Sequence, residues 1–406
     1  MSSSPFDSDF PGQQPAQPES GSPSQPGPGH EAPADGQSPG ANDGHSFAAP
    51  QQPAFMSPPV PGAQSPFAPA PAEPFTSPPE DSPPAPTPAG QGIKSLFDRI
   101  TAEVHKVFVG QEELVLGTLV ALFAGGHVLI ESVPGLGKTL FVRTLGRVLG
   151  CQFGRIQFTA DLMPSDITGA PVFDMKTQDF TFRRGPVFTQ LLLADEINRS
   201  PAKTHAALLE IMQEYRVTVE GKSHPLVRPF LVLATQNPIE SEGTYNLPEA
   251  QLDRFMFKMG IEYPTVEEEA EILAMHCRQE DLYHRLETDV EVVTSPEEVL
   301  ECSRLCAGVA IDRKLLDYIN ALVRLTREWP QFYLGASPRA GIALVQGTRT
   351  LAAFRGRDYA VPDDVADLLL PALRHRVILT PEAEVEGREV DELLLELKRS
   401  VEVPRL

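Results

Sequence analysis

His127-Val-Leu-Ile-Glu131, then Ser132-Val-Pro-Gly-Leu-Gly-Lys-Thr139, then an amphipathic run over residues 138–149, is the stretch that decides the fold. The first piece is short and uninterruptedly apolar, which suits a strand buried on both faces of a parallel sheet. The second is a Gly/Pro turn, and the third has helical spacing. A strand–glycine loop–helix unit aims consecutive backbone N–H groups at whatever sits before the helix N-terminus, which suits a phosphate. Gly135 and Gly137 keep side chains out of the way. Lys138 is placed to reach β- and γ-phosphates, and the Thr139 hydroxyl to ligate Mg²⁺. Ser132 stands where the usual motif has a first Gly, and Val133, Pro134 and Leu136 complete the loop.

Outward from this unit the alternation continues. Apolar runs at 155–158, 191–194, 231–234 and 257–261 read as further strands, with helices over 138–149 and 201–214 between them. That pattern predicts an α/β layer with a central parallel sheet. Upstream, residues 93–108 and 111–124 read as helices. After about residue 264 the strand pattern stops, and 265–276, 296–308, 312–329, 338–354, 362–374 and 390–401 all read as helices, several opened by Ser-Pro or Val-Pro-Asp. The expected division is therefore a tail over 1–92, an α/β core over 93–264 and an all-α domain over 265–406.

Composition sets the tail apart. The chain has 406 residues and 41 prolines, of which 24 fall in residues 1–90, together with 9 glycines and no Lys or Arg. Such a segment cannot offset its ordering entropy by burial, and the expectation is disorder. Its isolated phenylalanines (Phe6, Phe10, Phe47, Phe55, Phe67, Phe75) and Ser-Pro steps fit either a docking tether or an inert solubilising tail. Removing it leaves 316 residues with net charge −12, against −21 for the whole chain, long enough for a larger and a smaller core. The acid excess argues against a protein whose affinity rests on neutralising nucleic-acid phosphates. No positive n-region or apolar h-region opens the chain, and the longest apolar stretch, 114–124, is too short to span a bilayer. The expectation is a soluble cytoplasmic protein. The four cysteines, Cys302 and Cys306 one turn apart among them, form no metal-ligand pattern.

Two further strand ends carry polar groups. Leu191-Leu-Leu-Ala-Asp-Glu196 puts two acids at the carboxyl edge of the sheet, where Asp195 can hold a Mg²⁺ shell through water and Glu196 can orient the attacking water. Leu231-Val-Leu-Ala-Thr-Gln-Asn237 places an amide within reach of γ-phosphate or water. Arg254 follows a short helix. Arg339 opens another, with Ser337 as N-cap and Pro338 in the first turn. Cations brought to a γ-phosphate accelerate phosphoryl transfer.

Taken together these residues resemble an AAA+ ATPase, and the connecting phrases resemble the MoxR type over essentially all of residues 93–406: Phe158-Thr-Ala-Asp-Leu-Met-Pro-Ser-Asp-Ile-Thr-Gly169, Arg184-Gly-Pro-Val-Phe188, Asp195-Glu-Ile-Asn-Arg-Ser-Pro-Ala-Lys-Thr204, Ala234-Thr-Gln-Asn-Pro238 and Gly243-Thr-Tyr-Asn-Leu-Pro-Glu-Ala-Gln-Leu-Asp-Arg-Phe255. Ser132 and the tail lie outside the family pattern. The resemblance implies a P-loop core followed by a helical lid. It implies ATP and Mg²⁺ as ligands, Lys138 and Thr139 as the Walker A pair, and Asp195 and Glu196 as Walker B. Asn237 takes the sensor-1 position, Arg254 that of an arginine finger supplied to a neighbouring subunit, and Arg339 the sensor-2 position. It also implies an insert over 161–183, a hairpin over 216–226 turning at Glu220-Gly221-Lys222, a homo-hexameric ring, and a chaperone role toward partners that often carry von Willebrand factor A domains. Six copies of the tail on one ring would multiply weak contacts. A nucleic-acid motor and a nucleotide-gated scaffold with little turnover are the competing readings; the lack of a basic stripe counts against the first and the complete set of catalytic residues against the second.

Overall fold

A computed structural model of the chain describes residues 88–133, 135–176, 178–237, 245–277 and 282–405. Most of the expected tail, Pro134 of the glycine loop, Pro238 and the start of the phrase at Gly243 lie outside the described residues.

The first helix, α1 (Pro88–His105), begins five residues before the expected start and reaches into the stretch assigned to the tail. It is followed by α2 (Glu112–Ala124), ended by Gly125 in the left-handed region at φ 75°. Then come β1 (Val128–Glu131), α3 (Lys138–Val148) and β2 (Phe153–Gln157). Short α4 (Pro164–Thr168) leads into an antiparallel hairpin of β3 (Gly169–Asp174) and β4 (Asp179–Arg184), a pairing that the sequence did not announce within the 161–183 insert. Next are β5 (Leu191–Asp195), α5 (Ala202–Glu214), the hairpin of β6 (Arg216–Val219) and β7 (Lys222–Pro225), β8 (Leu231–Gln236), α6 (Glu249–Leu252) and β9 (Phe257–Gly260). The β6–β7 hairpin is where expected. It turns on Glu220 at φ 50° and Gly221 at φ 75°, the double left-handed geometry whose twist matches the strands.

The five long-range strands form one parallel sheet in the order β2-β5-β8-β1-β9. Its central strands β1, β5 and β8 read as apolar runs because both faces are covered, whereas β2 at the edge carries exposed Arg155 and Gln157. Val128, Ile130, Leu191, Leu193, Leu231 and Leu233 point into one apolar cluster; Leu129, Leu192, Ala194, Val232 and Ala234 point into another.

The rest is mostly helical: α7 (Val266–Cys277), α8 (Leu282–Thr288), α9 (Pro296–Ala307), α10 (Arg313–Leu325), α11 (Pro338–Phe354), α12 (Pro362–Leu373), α13 (Pro381–Val385) and α14 (Val390–Ser400). Side-chain caps start several of them: Ser295 accepts from the Glu298 amide, Asp312 from Lys314 and Ser337 from Arg339. The expectation that strands stop after residue 264 needs correcting. Phe332–Leu334 (β10) and Ile378–Leu379 (β11) pair antiparallel, an exchange too short to leave a periodic signal. The apolar residues do divide into a larger and a smaller cluster, but the division follows the faces of the sheet. The larger cluster runs from α1–α3 through one sheet face into α9–α12 and α14, with Phe97 stacked on Phe354 at 4.5 Å. The smaller one lies under the other face against α5. No helix among the described residues is long and apolar enough to cross a membrane.

Candidate nucleotide site

The carboxyl ends of β1, β5 and β8 meet at one edge of the sheet, since these three strands are neighbours and parallel. The loop after β1 begins with Ser132, whose amide continues the ladder by donating to the Gln236 carbonyl at 3.2 Å. Gly135 and Gly137 take φ 91° and 73°, conformations that only glycine adopts without strain, and Gly137 is the N-cap of α3. A Cβ built on Gly135 would project into open space. The loop therefore presents an uncrowded backbone at a helix N-terminus, the shape a phosphate requires.

Lys138 points back across this loop, its Nζ donating to Ser132 Oγ at 2.8 Å and to the Val133 carbonyl at 3.5 Å. The residue that departs from the usual motif thus holds the loop lysine by its hydroxyl. Burial pulls the Lys138 ammonium below its ordinary range, while Asp195 and Glu196 act in the opposite sense. Asp195 is buried at the end of β5. Its Oδ2 accepts from Arg155 Nη2 at 2.7 Å and its Oδ1 from Thr235 Oγ1 at 2.7 Å. Each Asp195 oxygen retains a lone pair, which suits holding a metal's water shell. Glu196 sits at φ 55°, uncommon for a residue other than glycine. Its amide donates to Thr235 Oγ1 at 2.9 Å, and its Oε2 accepts from Gln157 Nε2 at 2.7 Å and lies 3.2 Å from Arg199 Nε. Asn237 is buried one residue beyond β8, beside the strand that carries the loop.

Arg155, Gln157, Thr235 and Arg199 were not among the residues expected at the site. Thr235 lay inside a quoted phrase without a role. Arg155 and Gln157 alternate on β2 with period two, but their meeting with the acids depends on β2 being paired to β5.

Arg254 and Arg339 are brought together, and away from this cluster. Both line a cavity of about 340 Å³ with Gly125, Gly126, His127 and Met212. His127 precedes β1, whereas Ser132 follows it, and a four-residue strand is about 13 Å long. Arg254 Nη1 donates to the Leu209 carbonyl at 2.9 Å. Arg339 opens α11 as expected, half exposed, 3.8 Å from Asp253 Oδ2. Asp253 is also held by buried Arg376, Nε to Oδ1 at 2.8 Å, and by Ser337 Oγ at 2.9 Å. Arg376 further donates to the carbonyls of Asp253, Phe255 and Met256, so one guanidinium grips the segment bearing Arg254.

Residues 127–257 match the model of the ATPase family associated with various cellular activities (AAA), and 324–397 match the AAA lid domain. The chain is 43% identical over 314 residues to YeaC of Bacillus subtilis, covering 77% of this chain and 97% of that protein. It is 40% identical over 343 residues to chaperone MoxR1 of Mycobacterium tuberculosis, covering 81% and 88%. A solved structure from Cytophaga hutchinsonii superposes with a TM-score of 0.73 at 40% identity, covering 78% of this chain and 97% of that one.

Proposed function

Because this chain belongs to the MoxR-type AAA+ ATPases, we propose that it binds ATP with Mg²⁺ at the loop from Ser132 to Thr139, hydrolyses it to ADP and phosphate, and uses the cycle to remodel partner proteins as a chaperone. The loop amides and Lys138 bind the β- and γ-phosphates. Thr139 and, through water, Asp195 would hold the metal, which would screen the phosphate charge. Glu196 orients the attacking water once it leaves Gln157 and Arg199, and Asn237 fixes the water or the γ-phosphate from the neighbouring strand.

The observation that carries this reading is the separation of the cations from the phosphate loop. Arg254 and Arg339 line one cavity with His127 at the amino end of β1, about one strand length (~13 Å) from the start of the loop at Ser132, which favours their serving a second chain. A site completed from the next subunit resolves this, with both arginines stabilising γ-phosphate charge across an interface. Hydrolysis then depends on assembly, which supports a ring of identical subunits; six subunits follow from the family resemblance, and we place the ring in the cytoplasm. Clients with von Willebrand factor A domains follow from the family resemblance.

The test is complementation. Lys138→Ala and Arg254→Ala proteins should each be inactive alone in a phosphate-release assay. Mixed, they should regain turnover, because an intact loop on one subunit meets an intact Arg254 on its neighbour. If mixing restores nothing while the wild type is active, the shared site is wrong.

A further inference from the structure

One side of helix α7 is left exposed among the described residues. Each of its residues whose side chain is described is exposed or half-buried, with Val266 79% and Leu273 63% exposed. Its exposed apolar residues are not scattered: Val266, Ala270, Leu273 and Cys277 recur at i, i+4, i+7 and i+11, which makes one stripe along the helix. Glu267 and Glu269 flank that stripe on either side, and residues 264–277 contain no Lys or Arg. A helix of 12 residues is marginal in water without a packed face.

Elsewhere on the molecule a groove of about 480 Å³ lies between α10 and α11. Its floor is Ile319, Val323 and Val345, and Ile342, 56% exposed, forms a wall. Arg324, Arg327 and Arg349 stand around it, and none of the three forms an ion pair among the described residues. An apolar stripe edged with carboxylates matches an apolar floor edged with guanidinium groups, the usual chemistry of a helix laid in a groove.

We propose that α7 of one copy of this chain docks into the α10–α11 groove of a second copy. The inference rests on the shared-site reading, which sets the Arg339 edge of one subunit against the phosphate-loop edge of the next. Both elements lie on those edges. The start of α7 abuts the loop region, where Glu268 crowds Gly110 and Phe108 lies under Gly137. Helix α11 carries Arg339 at its start, and its Ile342 lines both the arginine cavity and the groove. The groove would thus extend the interface outward from the nucleotide.

Charge reversal tests it in the full chain, made hydrolysis-deficient by Glu196→Gln and held with ATP and Mg²⁺. Assembly is read by analytical ultracentrifugation. The Glu267→Arg/Glu269→Arg protein and the Arg324→Glu/Arg349→Glu protein should each need about tenfold more protein to assemble. Combining all four changes in one chain should restore the parent value. Leu273→Asn, which alters the stripe without altering charge, should also weaken assembly while leaving ATP binding intact. Parent-like assembly of the reversed proteins, or no rescue in the combined one, overturns the docking. Rescue that occurs while Arg254→Ala, made with Glu196 intact, keeps full turnover would uphold the docking and remove the shared site; lost turnover in Arg254→Ala without rescue would do the reverse.

Discussion

Thr235 gives its hydroxyl proton to Asp195 and accepts the Glu196 amide, so one buried side chain between two strands orients both acids. His127 plays a comparable part at the other end of β1. The Val232 amide donates to its Nδ1 at 3.1 Å, which leaves the ring proton on Nε2 to donate to the Met212 carbonyl at 3.1 Å. Full burial pushes its pKa down to about 4, partly offset by the Met212 bond, against an ordinary 6.5. The unfolded chain takes up a proton below pH 6.5 that the folded chain refuses. Stability is therefore full above pH 6.5 and declines as the pH falls toward 4, by roughly 3 kcal/mol from this residue. Buried His375 is pushed in the same direction, by burial first and by Arg376 next. Urea midpoints measured between pH 7 and 4.5 should fall for the wild type and fall less steeply for His127→Gln. An equal slope in the two proteins would exclude His127 as the source.

At the scale of elements, the β3–β4 hairpin is anchored where its two ends cross. Gly169 takes φ 88°, and a Cβ there would overlap the Arg183 carbonyl oxygen and the Gly185 amide. Backbone cannot yield as a flexible side chain does. Gly169→Ala should cost about 3 kcal/mol, from a backbone conformation (φ 88°, ψ 172°) open essentially to glycine alone, together with the overlap. Gly221 in the β6–β7 turn is the control. Its φ is 75°, but a Cβ would meet nothing, so Gly221→Ala should cost only about 1 kcal/mol. Thermal unfolding of both variants checks the difference. The two hairpins also differ in how visible they were. The β6–β7 hairpin carries a Glu-Gly turn between β-formers, a local signal. The β3–β4 hairpin runs from Gly169 to Arg184; its first strand, Gly-Ala-Pro-Val-Phe-Asp, has no alternation, and only the pairing of Gly169–Asp174 with Asp179–Arg184 makes it a ladder.

At the scale of the whole molecule, Arg376 ties the helical part to the segment carrying Arg254. It is buried, ion-paired to Asp253, and donates to several backbone carbonyls, Ala372 among them. Removing one partner of a buried pair strands the other, so Arg376→Met should destabilise the chain by about 3 kcal/mol in urea unfolding. Its loss of turnover in the ATPase assay should exceed its loss of ATP affinity, because Arg254 loses its seat while the phosphate loop does not. Affinity and turnover falling together would show that Arg376 acts on the fold alone.

The amino-acid sequence by itself determined the nucleotide loop, the two acids ending β5, the parallel α/β order and the helical run after it. Each is written in contiguous residues whose spacing carries the physics: glycines at a strand–helix turn, acids closing an apolar strand, apolar groups at helical intervals. Tertiary structure alone decided which strands are neighbours, and so that Arg155 and Gln157 meet Asp195 and Glu196. It also decided that the larger apolar cluster runs from one sheet face into the helices, and that Arg254 and Arg339, 85 residues apart in the chain, share a cavity with His127 at the amino end of β1. These pairings depend on the order of strands and on how α11 packs, and no local spacing encodes either.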